Sequence, residues 1–196
     1  MNGSGFVHVC RGVRERIGQP HRFAHVVRVA RLADRLAQHH GEDPARARLA
    51  GMLHDLARLY SAERLLAECA HRSMPIDAFE RDHPVVLHAR LGAELAREEF
   101  GVEDEAVLDA IRSHTLGAPR MSLLQTIVYL ADSLEPGREF AERAQLERLA
   151  FANLAAAMRA TLRSTIVYLG ARGLKVAPAT SAAAEFFAAR KEKKSA

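Results

Sequence analysis

The sequence predicts an all-α protein that folds as a single-domain helical bundle. Apolar residues make up 48% of the 196 residues, alanine and leucine are abundant, aromatic residues account for only 6%, and tryptophan is absent. The apolar residues recur mostly at the spacing of amphipathic helices, and no strand-like alternation extends beyond a few residues. The sequence has no internal repeat and no linker long enough to separate a second domain, and its length is sufficient to bury one core.

Composition and charge narrow the classes of function. The sequence contains no run of about 18 apolar residues and no signal-peptide pattern, so we expect a cytoplasmic protein without a membrane partner. Its two cysteines do not form a disulfide framework. The net charge is +4, and no interleaving of arginine with aromatic residues indicates a nucleic-acid surface. A positive balance is compatible with an anionic small molecule. A homodimer is also compatible with the sequence, which does not fix the oligomeric state.

Helix start and stop signals place the elements of the first half. Gly41 ends one helix, and Asp43 followed by Pro44 gives an N-cap and a proline at the first helical position of the next. Ser61 can cap a further helix, and 71–82 is predicted to be a polar loop that contains Pro75. The helices predicted in this half span residues 5–17, 21–40, 44–58 and 61 to about 70.

The same signals apply in the second half. Pro84 begins a helix that Gly101 closes, and Ser122 caps a later helix that ends at Glu135 and Pro136. A long helix rich in alanine and leucine follows, and a short helix begins after Thr180 and Ser181. The helices predicted in this half span residues 84–100, 103–114, 122–134, about 146–170, and the stretch after 181.

A histidine-aspartate pair near the end of the third predicted helix is the first sign of a metal site. His54 and Asp55 lie about 100° apart around a helix axis. An imidazole together with a carboxylate suits iron, zinc, manganese or nickel. Gly51 precedes the pair by one turn and leaves open the surface over which both side chains lean, so we expect the missing side chain to provide space there.

Four further residues of ligand type stand among apolar neighbours in other predicted helices. They are His25, His88, His114 and Asp132. Each alone has a simpler explanation, such as a core histidine that is hydrogen-bonded to a carbonyl group, although a buried carboxylate without a partner is costly. Together with the first pair they supply four imidazoles and two carboxylates, which is what two first-row metal ions sharing a bridging carboxylate require.

His83 is open to more than one interpretation. It precedes the helix that carries His88 and could be a pocket residue or an exposed side chain. We prefer His88 as the ligand from this region, because it lies inside the helix and one turn before Gly92.

The ordered pattern resembles the HD-domain metal phosphohydrolases and, more fully, the YqeK family of symmetrical diadenosine tetraphosphate hydrolases. The resemblance extends over about residues 20–180. The His-Asp pair is shared by many phosphohydrolases, whereas His-Thr-x-Gly and Ala-Asp-x-x-Glu-Pro-x-Arg are much more specific. The matching segments run from Arg22 to His25, Ala50 to Arg58, His88 to Ala93, Ala110 to Gly117 and Tyr129 to Arg138.

The resemblance implies an HD-domain helical bundle with two metal ions. The preferred metal is iron, with manganese, zinc or nickel as alternatives, and Asp55 would bridge the ions. His54 and Asp55 would act in catalysis together with a metal-bound water, and a metal-bound hydroxide would attack an inner phosphorus of diadenosine tetraphosphate to release two ADP. The ligands implied are His25, His54, Asp55, His88, His114 and Asp132.

Substrate-binding residues are expected beside these ligands. Arg22, Arg58 and Arg138 are close in sequence to proposed ligands and could hold phosphates, although the alternative of solvated surface arginines stands for each. Thr115 could add a hydroxyl contact, and His83 is included as a pocket residue. The chain departs from the family at position 58, often lysine and here arginine, and at position 137, often asparagine and here glycine.

Four segments are predicted along the chain. Residues 1–19 form an N-terminal helix that extends the domain, 20–140 form the HD metal-binding core, 141–190 contribute C-terminal helices that pack on the same core, and 191–196 are a disordered basic tail.

Three other functions compete with this interpretation. An HD-domain phosphohydrolase acting on mononucleotides or guanosine alarmones would use the same metals. A di-iron oxygenase would use similar ligands, but the arginines near them favour phosphate. A nucleotide-sensing protein with an inactive site is disfavoured by the complete ligand set.

Overall fold

Eleven α-helices and one 3-10 turn form the regular structure of residues 3–189, the part of the chain that the computed structural model describes. No strand occurs within it, and the prediction of an all-α single-domain protein is confirmed. In chain order the helices are α1 (Gly3–Ile17), α2 (Pro20–His40), α3 (Pro44–Leu53), α4 (Ala62–His71), α5 (Ala78–Asp82), α6 (Leu87–Phe100), α7 (Glu105–Ser113), α8 (Leu123–Leu134), α9 (Arg143–Ala152), α10 (Leu154–Ala171) and α11 (Pro178–Ala189), with the 3-10 turn at Pro84–Val86.

The core lies where α2 and α3 meet α6, α7 and α8. α2 packs against α1, α3, α8 and α9, and the short α3 also contacts α6, α7 and α8. The C-terminal helices cover the outer side of α8, because α9 and α10 both pack against it. The largest fully buried side chains are Leu36, Leu53, Leu65, Leu87, Leu91, Leu108, Ile111, Ile127, Leu130, Leu134, Met158 and Leu162.

The helix caps predicted from the sequence are present. The Asp43 side chain accepts hydrogen bonds from the amides of Ala45 and Arg46. The Ser61 side chain caps α4 in the same way. Ser122 and Gln125 form a reciprocal capping box at the start of α8. These caps satisfy amide groups that the first turn of a helix leaves without partners.

α3 is shorter than predicted, because it ends at Leu53 rather than at Arg58. Beyond it the amides of Leu56 and Arg58 bond to carbonyls only three residues back, at 3.4 and 3.0 Å, so the chain continues as tight turns. Arg16 of α1 donates to the carbonyl of Leu56 at 3.3 Å. His54 and Asp55 therefore lie at and just after a helix end, not within a helix.

Two further boundaries differ from the prediction. The segment 71–82 is not a loop throughout, since Asp77 and Glu80 form a capping box that begins α5. The helix predicted for about 146–170 is two helices, α9 and α10. Asn153 separates them because its backbone is extended and its side chain accepts a hydrogen bond from the amide of Ala156, which begins α10.

Gly51 serves helix packing rather than ligand access. A Cβ atom built on Gly51 would lie 2.8 Å from the Cα and 3.0 Å from the backbone N of Ala30 in α2. Gly92 is similar, because its Cβ would lie 3.2 Å from the carbonyl oxygen of His54. The expectation that Gly51 leaves space over which His54 and Asp55 lean was wrong. Both glycines instead allow backbones to approach closely and bring the end of α3 into the core.

The remaining expectations about composition can be compared with the described residues. Cys10 and Cys69 are both free. No helix between residues 3 and 189 combines the length and apolar character needed to span a membrane. The predicted disordered tail, 191–196, lies outside the described residues.

Gly51→Ala should lower the free energy of unfolding by about 1–2 kcal/mol. Overpacking against the backbone of α2 should destabilise the fold by close to the upper end of about 1–3 kcal/mol. The better helix propensity of alanine should offset about 1 kcal/mol of this loss. Equilibrium urea unfolding measures the difference. Gly170→Ala is the matched control, since a Cβ there meets nothing within 4 Å and the substitution should stabilise α10. Equal stabilisation by both substitutions would contradict the packing role of Gly51.

Candidate metal centre

The structure brings together all six residues that the sequence predicts as metal ligands. His25 comes from α2, His54 and Asp55 from the end of α3, and the other three from α6, α7 and α8. Within the described residues three overlapping groups have donor atoms within 4.8 Å of one another. The groups are His25, His54 and Asp55; His54, His114 and Asp132; and Asp55, His88 and His114.

Asp55 lies at the centre of the cluster. Its Oδ2 atom is 3.6 Å from Nε2 of His25 and 3.5 Å from Nε2 of His54. Its Oδ1 atom is 3.5 Å from Nε2 of His88 and 3.9 Å from Nε2 of His114. Each carboxylate oxygen thus faces a different pair of imidazoles, which is the arrangement of a carboxylate that could bridge two cations.

Asp132 completes one half of the cluster. Its Oδ1 atom is 3.1 Å from Nε2 of His25 and 3.7 Å from Nε2 of His54. The same two imidazoles also face Oδ2 of Asp55, so one side of the cluster has two histidines and two carboxylates. The other side has His88 and His114, whose Nε2 atoms are 3.2 Å apart.

Hydrogen bonds at Nδ1 fix the state of the imidazoles. His54, His88 and His114 each donate from Nδ1 to the backbone carbonyl three residues earlier, at 2.8, 2.5 and 2.7 Å. A carbonyl oxygen only accepts, so Nδ1 carries the proton and a neutral ring presents the Nε2 lone pair to the cluster. Nε2 of His25 and Nε2 of His54 are buried without a hydrogen-bond partner. Lone pairs that face carboxylates in a buried space require a cation, so the residues fit a metal centre.

Burial keeps these imidazoles neutral at physiological pH. It lowers the pKa of His54, and it lowers the pKa of both His88 and His114 to about 4, with a further contribution from a neighbouring histidine in each case. Burial acts to raise the pKa of Asp55, but His54 and the other imidazoles outweigh it and lower the pKa to about 2. His54, His88 and His114 are thus neutral and Asp55 is ionised, which are the protonation states that metal ligands need.

Two of the three predicted phosphate-binding arginines contact ligand carboxylates. Arg22 donates to Oδ2 of Asp55 at 3.0 Å. Arg138 donates to Oδ1 and to the carbonyl oxygen of Asp132 at 2.5 and 2.9 Å. Arg58 is half-buried, and no carboxylate of the described residues forms an ion pair with it. Its charge contributes to the lowered pKa of His88, which places the guanidinium near the cluster.

Thr115 and His83 were both predicted to bind substrate, but only Thr115 contacts the cluster of donor atoms. The Thr115 hydroxyl lies 2.9 Å from Nε2 of His114 and 3.1 Å from Nε2 of His88, so it belongs to the cluster. His83 lies instead against the ring of Phe79, with ring centroids 4.5 Å apart, and it is outside the three groups of donor atoms. Of these two histidines, His88 is therefore part of the cluster of donor atoms and His83 is not.

Glu135 and Arg28 belong to the site but were missed in the sequence. Glu135 is 1% exposed and lies 3.0 Å from Nδ1 of His25, which donates to it. Arg28 pairs with the same carboxylate. The signal was present, because Glu135 follows Asp132 by three residues and Arg28 follows His25 by three. Residues three apart on a helix share a face.

Residues 22–137 match the family described as the HD domain. All of the six clustered residues fall inside the matched range. Because the match covers more than half of the 196 residues, the chain belongs to the HD-domain family.

Similarity to individual proteins indicates which kind of HD-domain protein this chain resembles. The chain is 37% identical over 160 residues to the symmetrical bis(5'-nucleosyl)-tetraphosphatase of Bacillus subtilis. The aligned region covers 82% of this chain and 86% of that protein. It is 37% identical over 148 residues to a probable nicotinate-nucleotide adenylyltransferase/Ap4A hydrolase of Mycoplasma genitalium, covering 72% of this chain and 41% of the relative.

A solved structure agrees with these relatives. A predicted HD superfamily hydrolase involved in NAD metabolism, from Clostridium acetobutylicum, superposes with a TM-score of 0.91 at 32% identity, covering 95% of this chain and 98% of that one. The chain is an HD-domain phosphohydrolase, and within that class it belongs to the family of the symmetrical bis(5'-nucleosyl)-tetraphosphatases.

Stability of the metal-free protein should fall as the pH is lowered from about 6.5 to 5. In the unfolded chain histidines take up protons near pH 6.5, whereas in the folded protein His88 and His114 do so only near pH 4. The unfolded state therefore binds more protons in this interval, and each such group lowers the free energy of unfolding by up to about 1.4 kcal/mol per pH unit. Urea unfolding in the presence of a chelator, at several pH values, measures the slope.

His88→Gln provides the comparison, because it removes one of these groups. Its free energy of unfolding should depend less steeply on pH in the same interval. A metal-free wild-type protein whose stability stays constant from pH 6.5 to 5 would show that the imidazoles are not held neutral by burial.

Proposed function

We propose that this protein hydrolyses diadenosine tetraphosphate symmetrically, to two ADP, at a centre that holds two metal ions. The observation that carries the proposal is the position of Asp55, whose two oxygens face two separate pairs of imidazoles. The printed activity of the Bacillus subtilis relative supports the substrate. A dinucleoside polyphosphate is thus the small-molecule partner proposed.

The ligands divide into two sets that share Asp55. His25, His54 and Asp132 would hold one ion, and His88 and His114 would hold the other. Bound metal ions would supply an activated water and would neutralise charge on the phosphate oxygens. The nitrogen and carboxylate donors, with no thiolate, suit iron, and manganese, zinc and nickel are alternatives.

The arginines and Thr115 would position the polyphosphate. Arg22 and Arg138 already lie against the carboxylates of Asp55 and Asp132, so phosphate oxygens bound there would meet their remaining N–H groups. Arg58 has no ion-pair partner among the described residues, and its guanidinium is therefore free to bind a phosphate. The Thr115 hydroxyl lies beside His88 and His114, and it could donate one hydrogen bond to a phosphate at the metal position that they form. His83, which directly precedes the 3-10 turn that leads to His88, is retained as a proposed pocket residue.

Catalysis would rest on a firmly held metal centre and on positioning of the substrate, rather than on a protein nucleophile. His54 and Asp55 hold the centre rigidly, because His54 is fully buried and Asp55 is bound by Arg22. Phosphoryl transfer requires charge stabilisation more than covalent chemistry from the protein. The two free thiols support a cytoplasmic location.

Iron-loaded protein incubated with diadenosine tetraphosphate should release ADP alone. Chromatographic separation of the products measures this, and ATP together with AMP would contradict symmetrical cleavage. His54→Gln should lose at least one metal ion and about 100-fold or more of the activity, since even residues that only orient metal ligands cost about 10–100-fold. Retention of both ions and of full activity by this variant would remove His54 from the proposed ligands.

Arg58→Gln should raise the Michaelis constant for diadenosine tetraphosphate about tenfold or more, because a hydrogen bond to a charged group contributes roughly 1.5–3 kcal/mol. Steady-state kinetics at fixed ionic strength measure the change. Arg163→Gln on the exposed face of α10 is the control, since it changes the net charge equally and α10 supplies none of the clustered donor atoms. Equal Michaelis constants for the two variants would exclude a direct phosphate contact by Arg58.

A further inference from the structure

One of the four imidazoles in the cluster is held differently from the others. His54, His88 and His114 donate from Nδ1 to backbone carbonyls of their own segments. His25 instead donates from Nδ1 to a side-chain carboxylate, Oε1 of Glu135, at 3.0 Å. Glu135 lies just after α8, 110 residues away in sequence.

The position of each histidine on its helix accounts for the difference. His54 and His114 occupy C-cap positions, beside carbonyl groups of the last turn that lack the usual helical amide partner four residues on. His88 follows the 3-10 turn and uses the carbonyl of Val85 within it. His25 lies inside α2, where carbonyl groups accept from helix amides. Its Nδ1 therefore needs an acceptor from another element.

Glu135 is itself held from two sides. Its Oε1 accepts from Nη2 of Arg28 at 3.2 Å. Its Oε2 accepts from Nε of Arg28 and also from the amide of Gly137, which lies 2.6 Å away. The guanidinium of Arg28 and the Gly137 amide thus donate to the carboxylate next to His25, and its ion pair with Arg28 favours the ionised form.

Gly137 determines where Arg28 can lie. A Cβ atom built on Gly137 would fall 2.3 Å from Nη2, 2.6 Å from Cζ and 2.7 Å from Nε of Arg28. The guanidinium occupies the volume that any larger residue would need. The absence of a side chain at Gly137 therefore leaves room for Arg28 in the orientation that binds both oxygens of Glu135.

We infer that Glu135, held by Arg28 against Gly137, is a positioning residue that orients His25 and sets how tightly the metal ion on the His25 side is bound. The inference rests on the proposed metal centre. An ionised carboxylate that accepts from Nδ1 fixes the tautomer and increases the basicity of Nε2. Backbone carbonyls support the histidines on the other side, so the two metal positions differ in their outer support.

Glu135→Gln should weaken one of two metal sites by about 10–100-fold and leave the other unchanged. Metal-free protein titrated with Co²⁺ in competition with a chelator gives both dissociation constants, and the visible spectrum of Co²⁺ reports the changed geometry. Glu80→Gln is the matched control. It removes another buried carboxylate that pairs with an arginine, Arg90, and Glu80 is in none of the three groups of donor atoms, so both Co²⁺ dissociation constants should stay unchanged.

Gly137→Ala tests the same inference with Glu135 and Arg28 both retained. The added methyl should displace Arg28 and weaken the same site by a smaller factor, and this variant decides the question if circular dichroism shows that Glu135→Gln does not fold. Wild-type affinities in both variants, or equal weakening of both sites, would overturn the inference. Failure of the wild-type protein to bind Co²⁺ would instead overturn the proposed metal centre.

Discussion

The structure depends on the arrangement of four imidazole lone pairs around one buried carboxylate. Asp55 is 3% exposed, and each of its oxygens faces two Nε2 atoms at 3.5–3.9 Å. Such a group of acceptors without protons between them is unfavourable in a low-dielectric interior. A cation bound among these donor atoms would relieve this unfavourable interaction.

Helix ends supply much of the rigidity that this arrangement needs. α3 and α7 stop at the residues before His54 and His114, so carbonyl groups of their last turns can accept from the imidazoles. Gly51 and Gly92 then allow the end of α3 to lie close to α2 and α6. Backbone packing and side-chain orientation are therefore coupled, since the contact that brings the helix end inward also brings the imidazole to the cluster.

The sequence was sufficient to predict what depends on local pattern. Helix caps at Asp43, Ser61 and Ser122 depend on neighbouring residues, and the ligand-type residues stood out because a polar group among apolar neighbours needs a partner. The true end of α3 was not predictable in this way, because it depends on contacts with α1 and α6. The role of Gly51 was misjudged for the same reason, since its neighbour Ala30 is distant in sequence.

Residues that support other residues were the hardest to identify. Glu135 was interpreted as part of a helix end, although the structure places it in contact with His25 across the interface of α2 and α8. The sequence contained two pairs of polar residues with a three-residue spacing, His25 with Arg28 and Asp132 with Glu135. That the two pairs contact each other becomes evident only when α2 and the end of α8 are seen to face each other.

The balance of charge in the site explains why a polyphosphate suits it better than a neutral substrate. Each of its three carboxylates is already paired with an arginine, Asp55 with Arg22, Asp132 with Arg138 and Glu135 with Arg28. Burial keeps the pKa of His88 and His114 near 4, so these imidazoles add no charge at physiological pH. Two divalent cations would bring positive charge that the described residues contacting the cluster do not balance. A polyanion would supply the balance, whereas the uncharged substrate of a di-iron oxygenase would leave the charge uncompensated in a buried site.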